Sequence, residues 1–235
     1  MSKPIKILFA CRNFDAMAGG IERMATNIMN YLQNSGFDVY LVTWDSSTAR
    51  AHYPMNPSIK WYKLDIGSPY TTASWFQRLQ RQLLIRRIAR QIGPSVVIGF
   101  QFGTFLAIRT ALLGFRTSFI AAERNSPQLC DYTKNKLFNK IFWVISLALS
   151  DVITIQFASY EKYYPFFLRY KLRVIPNPVT LPKTRPQCYT SYFESKRMLN
   201  VGRLSYQKNQ DFLVKAFSLI AASYPDWVLT FVGEG

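Results

Sequence analysis

Short apolar runs alternate along this chain with stretches in which apolar residues recur every three or four positions. The run over residues 5–10 is continuously apolar, the pattern of a strand buried on both faces. Residues 20–34 then place Ile21, Met24, Ala25, Ile28 and Leu32 at helical spacing, and Gly36 supplies a C-terminal stop. Strands are predicted at 39–43 and, shorter, at 59–64. A basic helix is predicted over 72–91, ending at Gly93-Pro94. The alternation continues with a strand at 95–100, a helix at 104–113, a strand at 117–121, a helix at 134–149, and strands at 152–156 and 173–175. This order predicts an α/β chain built on a doubly wound parallel sheet.

Beyond residue 175 the texture changes. Pro176, Pro178, Pro182 and Pro186 lie within eleven residues that carry no apolar periodicity, the composition of a stiff linker. A second strand–helix–strand unit follows, with strands at 198–201 and 227–232. The expected organisation is a first domain over 1–180, a linker over 181–195 and the start of a second domain over 196–235. That last piece is smaller than a chain normally needs for a core of its own.

Composition is that of a globular protein, 49% hydrophobic and 18% charged, but the balance of charge is unusual. Twenty-nine Lys and Arg against 13 Asp and Glu leave a net +16. Such a chain suits an anionic partner: nucleotide phosphates, anionic lipid or nucleic acid. Three scattered cysteines, Cys11, Cys130 and Cys188, have no metal-ligand spacing and point to a reducing, cytoplasmic compartment. The apolar run before Cys11 is too short for a signal peptide, which needs about 7–15 residues. The apolar stretch 141–157 contains Asp151 and is shorter than the roughly 20 residues of a membrane span. It reads as a buried helix followed by a strand.

Four constellations could carry chemistry. Gly19 and Gly20 open the first helix, where glycines admit a ligand close to the backbone and free N–H groups attract an anion. Without a ligand they are simply a glycine-rich loop, with Glu22 complementing the helix dipole. Arg203 follows Gly202 after a strand, with Lys208 beside the next helix start, where the dipole disfavours a cation unless an anion binds. The competing reading is two solvated cations. Glu123, Arg124 and Asn125 follow the 117–121 strand, at the sheet edge where open α/β sheets bind ligands. They equally suit an internal Glu–Arg pair that shapes a turn. On the basic helix, Leu84, Ile85, Ile88 and Ile92 form one face, and Arg86, Arg87 and Arg90 project from the other. Those arginines form either a solvated face or a contact with anionic lipid. His52 stands alone, and zinc, Walker-type and paired-carboxylate signatures are absent from the sequence.

Taken in order, these segments resemble the GT-B glycosyltransferases of family 4, the "glycosyl transferases group 1". KILFACRNFDAMAGGIERMATNIMNYLQNSGFDVYLVT is similar to the family's opening, ERNSP to a segment of surface-polysaccharide members, and SDVITIQFASYEKYY with RVIPNPV to the end of the N-terminal domain and hinge. NVGRLSYQKNQDFLVKAF with FVGEG is similar to the start of the nucleotide-sugar domain. The resemblance implies a Rossmann-like acceptor-side domain and a second Rossmann-like domain of which one βαβ unit is present. It implies retaining, metal-free transfer from a UDP- or GDP-sugar, with no further cofactor, to a lipid-linked or saccharide acceptor. Surface polysaccharide or lipid-linked glycan synthesis would be the setting, at the cytoplasmic face of a membrane and without nucleic acid. Arg203 and Lys208 match the family's donor-diphosphate ligands, and Gly19 and Gly20 match the loop facing that diphosphate. The family continues past Val-Gly-Glu-Gly through further βα units bearing its Glu-x7-Glu carboxylates. The expectation is therefore a truncated chain without autonomous turnover. The alternative is a non-catalytic fragment that binds an acceptor or a membrane.

Overall fold

The computed structural model describes residues 4–128, 135–178, 196–204 and 208–233. Cys130, Cys188 and the whole of the predicted linker lie outside the described residues. The chain divides into two compact units, Met1–Val179 and Thr180–Gly235.

In the first unit, β1 (Lys6–Cys11), α1 (Gly20–Asn34), β2 (Asp38–Thr43), β3 (Lys60–Lys63), α2 (Trp75–Ile92), β4 (Val96–Phe100) and α3 (Phe102–Ala111) follow in order. They are joined by β5 (Ser118–Ala122), α4 (Lys136–Ala148), β6 (Val152–Ile155), two 3₁₀ turns (Ala158–Tyr163 and Phe166–Lys171) and β7 (Leu172–Val174). Every strand pairing is parallel, and the strand order is β3-β2-β1-β4-β5-β6-β7. The order reverses between β1 and β4. That reversal makes the first unit a doubly wound sheet with its switch point there.

Period-two alternation along each strand divides the core in two. Leu8, Ala10, Val97, Phe119 and Ile153 point to one face and pack against Ile85 and Ile88 of α2, Phe105 and Ile108 of α3, and Trp143 and Leu147 of α4. Ile7, Phe9, Val39 and Leu41 point to the other and pack against Met24, Ala25 and Met29 of α1. Three helices thus lie side by side on one face and α1 covers the opposite one.

Element ends follow local chemistry. α2 begins at Trp75, three residues later than the periodicity predicts, because Ser74 closes a capping box with Gln77. The Gln77 N–H donates to Ser74 Oγ at 3.2 Å, and the Ser74 N–H donates to Gln77 Oε1 at 3.0 Å. Gly93 ends the helix in the left-handed region at φ 62°.

The second unit is a two-stranded parallel sheet, β8 (Arg197–Val201) and β9 (Val228–Val232), linked by α5 (Gln210–Ala221). None of its described residues is buried.

Candidate functional site

The C-terminal edge of the seven-stranded sheet collects the polar residues of the first unit. At the switch point, β1 ends at Cys11 and α1 starts at Gly20, its N-cap glycine carrying no capping side chain. A helix that opens on glycines at a sheet's switch point is the kind of place where α/β proteins receive anions. The two glycines differ in role. A Cβ on Gly19 would overlap the Glu22 carboxylate, which is buried and folds back over that residue. A Cβ on Gly20 would meet nothing within 4 Å, so this position faces open space. Across the switch point, α3 is entered through Gln101 at φ 64°, a conformation a side chain adopts only at a cost.

Besides Glu22, two carboxyls are buried along this edge. Asp45, just past β2, escaped sequence reasoning because no motif marks it; only its place beyond a strand's C-terminal end could have drawn attention. Its Oδ2 accepts the Phe14 N–H at 2.8 Å and so fixes the loop after β1. Burial pushes its pKa up, against hydrogen bonds from Thr43 and the backbone of Phe14 and Asp15 that pull it down. Cys11 beside it is buried, and its thiol is pushed up by burial and then by the charges of Glu22 and Asp45. A thiol so held is not a nucleophile.

Glu123 is the second carboxyl. Trp143 Nε1 donates to its Oε2 at 3.0 Å, and burial raises its pKa. Arg124 donates through Nη1 to the Ile175 carbonyl at 2.9 Å and through Nη2 to Thr154 Oγ1 at 3.4 Å, while its own carbonyl accepts from Gln156. The side chain thereby ties the ends of β5, β6 and β7 together. Of the three candidates predicted here, Glu123 and Arg124 are buried and employed by the fold, and only Asn125 is exposed.

In the second unit, Arg203 and Lys208 are both exposed. The stem of Lys208 runs alongside Gly202, where a Cβ would lie 3.8 Å from its Cδ and Cε, and Gln210 Nε2 donates to the Arg203 carbonyl at 2.8 Å. β8 and β9 end so close together that a Cβ on Gly233 would collide with the Gly202 carbonyl.

The basic helix departs from its sequence reading. Its packed face is Arg81, Ile85, Ile88, Ala89 and Ile92, while Leu84 is only half-buried. Arg86 does not project freely. Its Nη1 donates to the carbonyls of Ala111 and Leu113 at 3.0 and 2.9 Å, and its guanidinium lies over the Phe115 ring, because the end of α3 offers unpaired carbonyls within reach. Arg87 and Arg90 are exposed as expected. His52 is exposed against Tyr53. Among the described residues no group of three or more His, Cys, Asp or Glu is disposed to hold a metal ion.

A doubly wound parallel sheet with a glycine-opened helix at its switch point, followed by a second βαβ unit, defines a GT-B-type α/β protein. Residues 18–182 match the model of Glycosyltransferase Family 4, and residues 187–235 match that of Glycosyl transferases group 1. The chain belongs to glycosyltransferase family 4. It is 26% identical over 232 residues to an uncharacterized glycosyltransferase of Haemophilus influenzae, covering 98% of this chain and 62% of that protein. It thus spans about three fifths of that relative's length. Among solved structures, sucrose-phosphate synthase from Thermosynechococcus elongatus superposes with a TM-score of 0.72 at 14% identity, covering 98% of this chain and 71% of the other. The Anabaena protein HepE, in complex with UDP and glucose, superposes with a TM-score of 0.66 at 14% identity, covering 98% and 61%. At such identities these likenesses show the fold.

Proposed function

We propose that the protein transfers a hexosyl group from a UDP- or GDP-sugar to a saccharide or lipid-linked acceptor, with retained anomeric configuration. The observation that carries this reading is Gly20, which faces free space at the start of α1 beside the β1–β4 switch point, in a chain of family 4. In this reaction the bond between the anomeric carbon and the β-phosphate oxygen breaks, an acceptor hydroxyl oxygen bonds to that carbon, and the hydroxyl proton passes to the departing diphosphate. Charge develops on the departing diphosphate. Arg203 and Lys208, both exposed in the second unit, are the donor-phosphate ligands in this reading. Cations and backbone donors aimed at a leaving group's charge are a principal source of catalysis in such transfers. The setting that suits this activity is glycan assembly at the cytoplasmic face of a membrane.

The test is calorimetric titration of UDP and GDP into the protein and its Arg203→Ala variant. Loss of a charge-assisted hydrogen bond is worth about 1.5–3 kcal/mol, so affinity for the preferred nucleotide drops roughly ten- to a hundredfold. Equal affinity in both proteins removes Arg203 from the site. Retention is read by NMR from the anomeric configuration of the first-formed product.

A further inference from the structure

We infer that the α2–α3–α4 layer of the first unit is a docking face for an anionic lipid bilayer. The two outer helices of this layer turn apolar residues away from the sheet. On α2, Trp75 and Leu83 are 77% and 61% exposed, with Phe76 and Leu79 also exposed. These residues occupy the first half of the helix's outward face, and Arg87 and Arg90 continue the same face toward its C-terminus. On α4, Leu137 and Phe138 are 74% and 61% exposed, and Ile141 and Ile145 extend the stripe by two turns. Because α2, α3 and α4 all pack on one face of the sheet, both stripes look in the same direction. An exposed apolar surface of this extent marks an interaction site.

Charge selects the occupant. Between residues 66 and 122 the chain has seven arginines and no Asp or Glu, and residues 135–149 have no Asp or Glu either. Asp65 shares a groove of about 630 Å³ with Leu83 and Arg87, where the arginine offsets its charge, and Asp151 accepts the Phe119 N–H. A second copy of this layer would bring like charges together. A bilayer with anionic headgroups accepts both properties, apolar side chains at the acyl boundary and arginines among the phosphates. Among the described residues no helix is long and apolar enough to cross a membrane. Arg86, spent on α3 carbonyls, holds the layer together, and Arg87 and Arg90 meet the lipid.

The inference rests on the transferase reading only for its purpose, bringing the chain to a lipid-linked acceptor; its test is read independently of the donor site. Flotation is measured with phosphatidylglycerol/phosphatidylcholine vesicles and with phosphatidylcholine alone. The protein is expected to float with the anionic vesicles only, and added salt is expected to weaken this binding. Arg87→Gln with Arg90→Gln lowers the anionic-vesicle partition coefficient about 30-fold, from roughly 1 kcal/mol per cation. Leu83→Ser with Ile141→Ser removes binding while leaving the UDP or GDP titration unchanged. Trp75 emission shifts to the blue on vesicle addition, a change missing in Trp75→Phe. Absence of vesicle binding overturns the proposal, as does binding indifferent to both double substitutions. Self-association in sedimentation that these substitutions abolish, without lipid binding, also overturns it and makes the face a homodimer contact.

Discussion

At Glu123 one carboxylate oxygen accepts the indole N–H of Trp143, and the other has no hydrogen-bond partner. Burial dominates, so its proton affinity in the folded state exceeds that of the unfolded chain, whose glutamates titrate near about pH 4.3. The folded state then holds a proton that the unfolded state releases. Stability is fully present below the unfolded pKa and falls as pH rises toward the folded one. Glu123→Gln keeps an acceptor for Trp143 and removes the titration. Its melting temperature is expected to exceed that of the wild type at neutral pH, with the gap closing near pH 4. A gap of constant size would show that Glu123 carries its charge without penalty. Tyr164 belongs to the same buried group: its ring centroid lies 5.0 Å from that of Trp143, its hydroxyl has no partner, and its pKa is raised first by burial and then by Glu123. Gly19 makes a different prediction. Gly19→Ala must displace the Glu22 carboxylate, whereas Gly20→Ala enters open space. Thermal melts should show clear destabilisation for the first and little change for the second, and comparable losses would contradict this assignment.

Among the elements, α2 shows best how local signals and packing divide the work. Its boundaries belong to local chemistry: Ser74 and Gln77 each accept the other's backbone N–H, and Gly93 turns the chain out. Ser74→Ala is expected to cost about 1 kcal/mol, a loss of roughly 2–4 °C in melting temperature for a protein of this size. An unchanged melting curve would mean that solvent replaces the cap. Its packed face was less legible. The pattern of Leu84, Ile85, Ile88 and Ile92 was visible in the sequence, but Arg81 is buried with its guanidinium donating to the Ile66 carbonyl, and Leu83 is exposed. Apolar periodicity alone could not divide the leucines and isoleucines between two faces. Both the buried and the exposed face of α2 carry apolar side chains, so the stripe facing the sheet does not stand out.

Over the whole molecule, burial is unevenly shared. The two cores on either side of the seven-stranded sheet lie in the first unit, and no described residue between 196 and 233 is buried. Hydrogen exchange should therefore be slowest in β1, β4 and β5, and amides of β8 and β9 should exchange faster. Equal protection in both sheets would contradict this ordering. The sequence by itself determined the doubly wound α/β order and the family motifs, because strand and helix periods and glycine-opened loops are written in neighbouring residues. It also put Gly19, Gly20, Arg203 and Lys208 between the end of a strand and the start of the next helix. Only the tertiary structure decided that Glu123 and Arg124 are sealed inside, that Asp45 holds the loop after β1, and that Arg86 is bound to α3. Those outcomes depend on which distant groups the fold brings within hydrogen-bond reach, from Trp143 to Ile175 and Ala111. The apolar outward faces of α2 and α4 were likewise decided by packing: only the sheet's position shows which side of a mostly apolar helix is left uncovered.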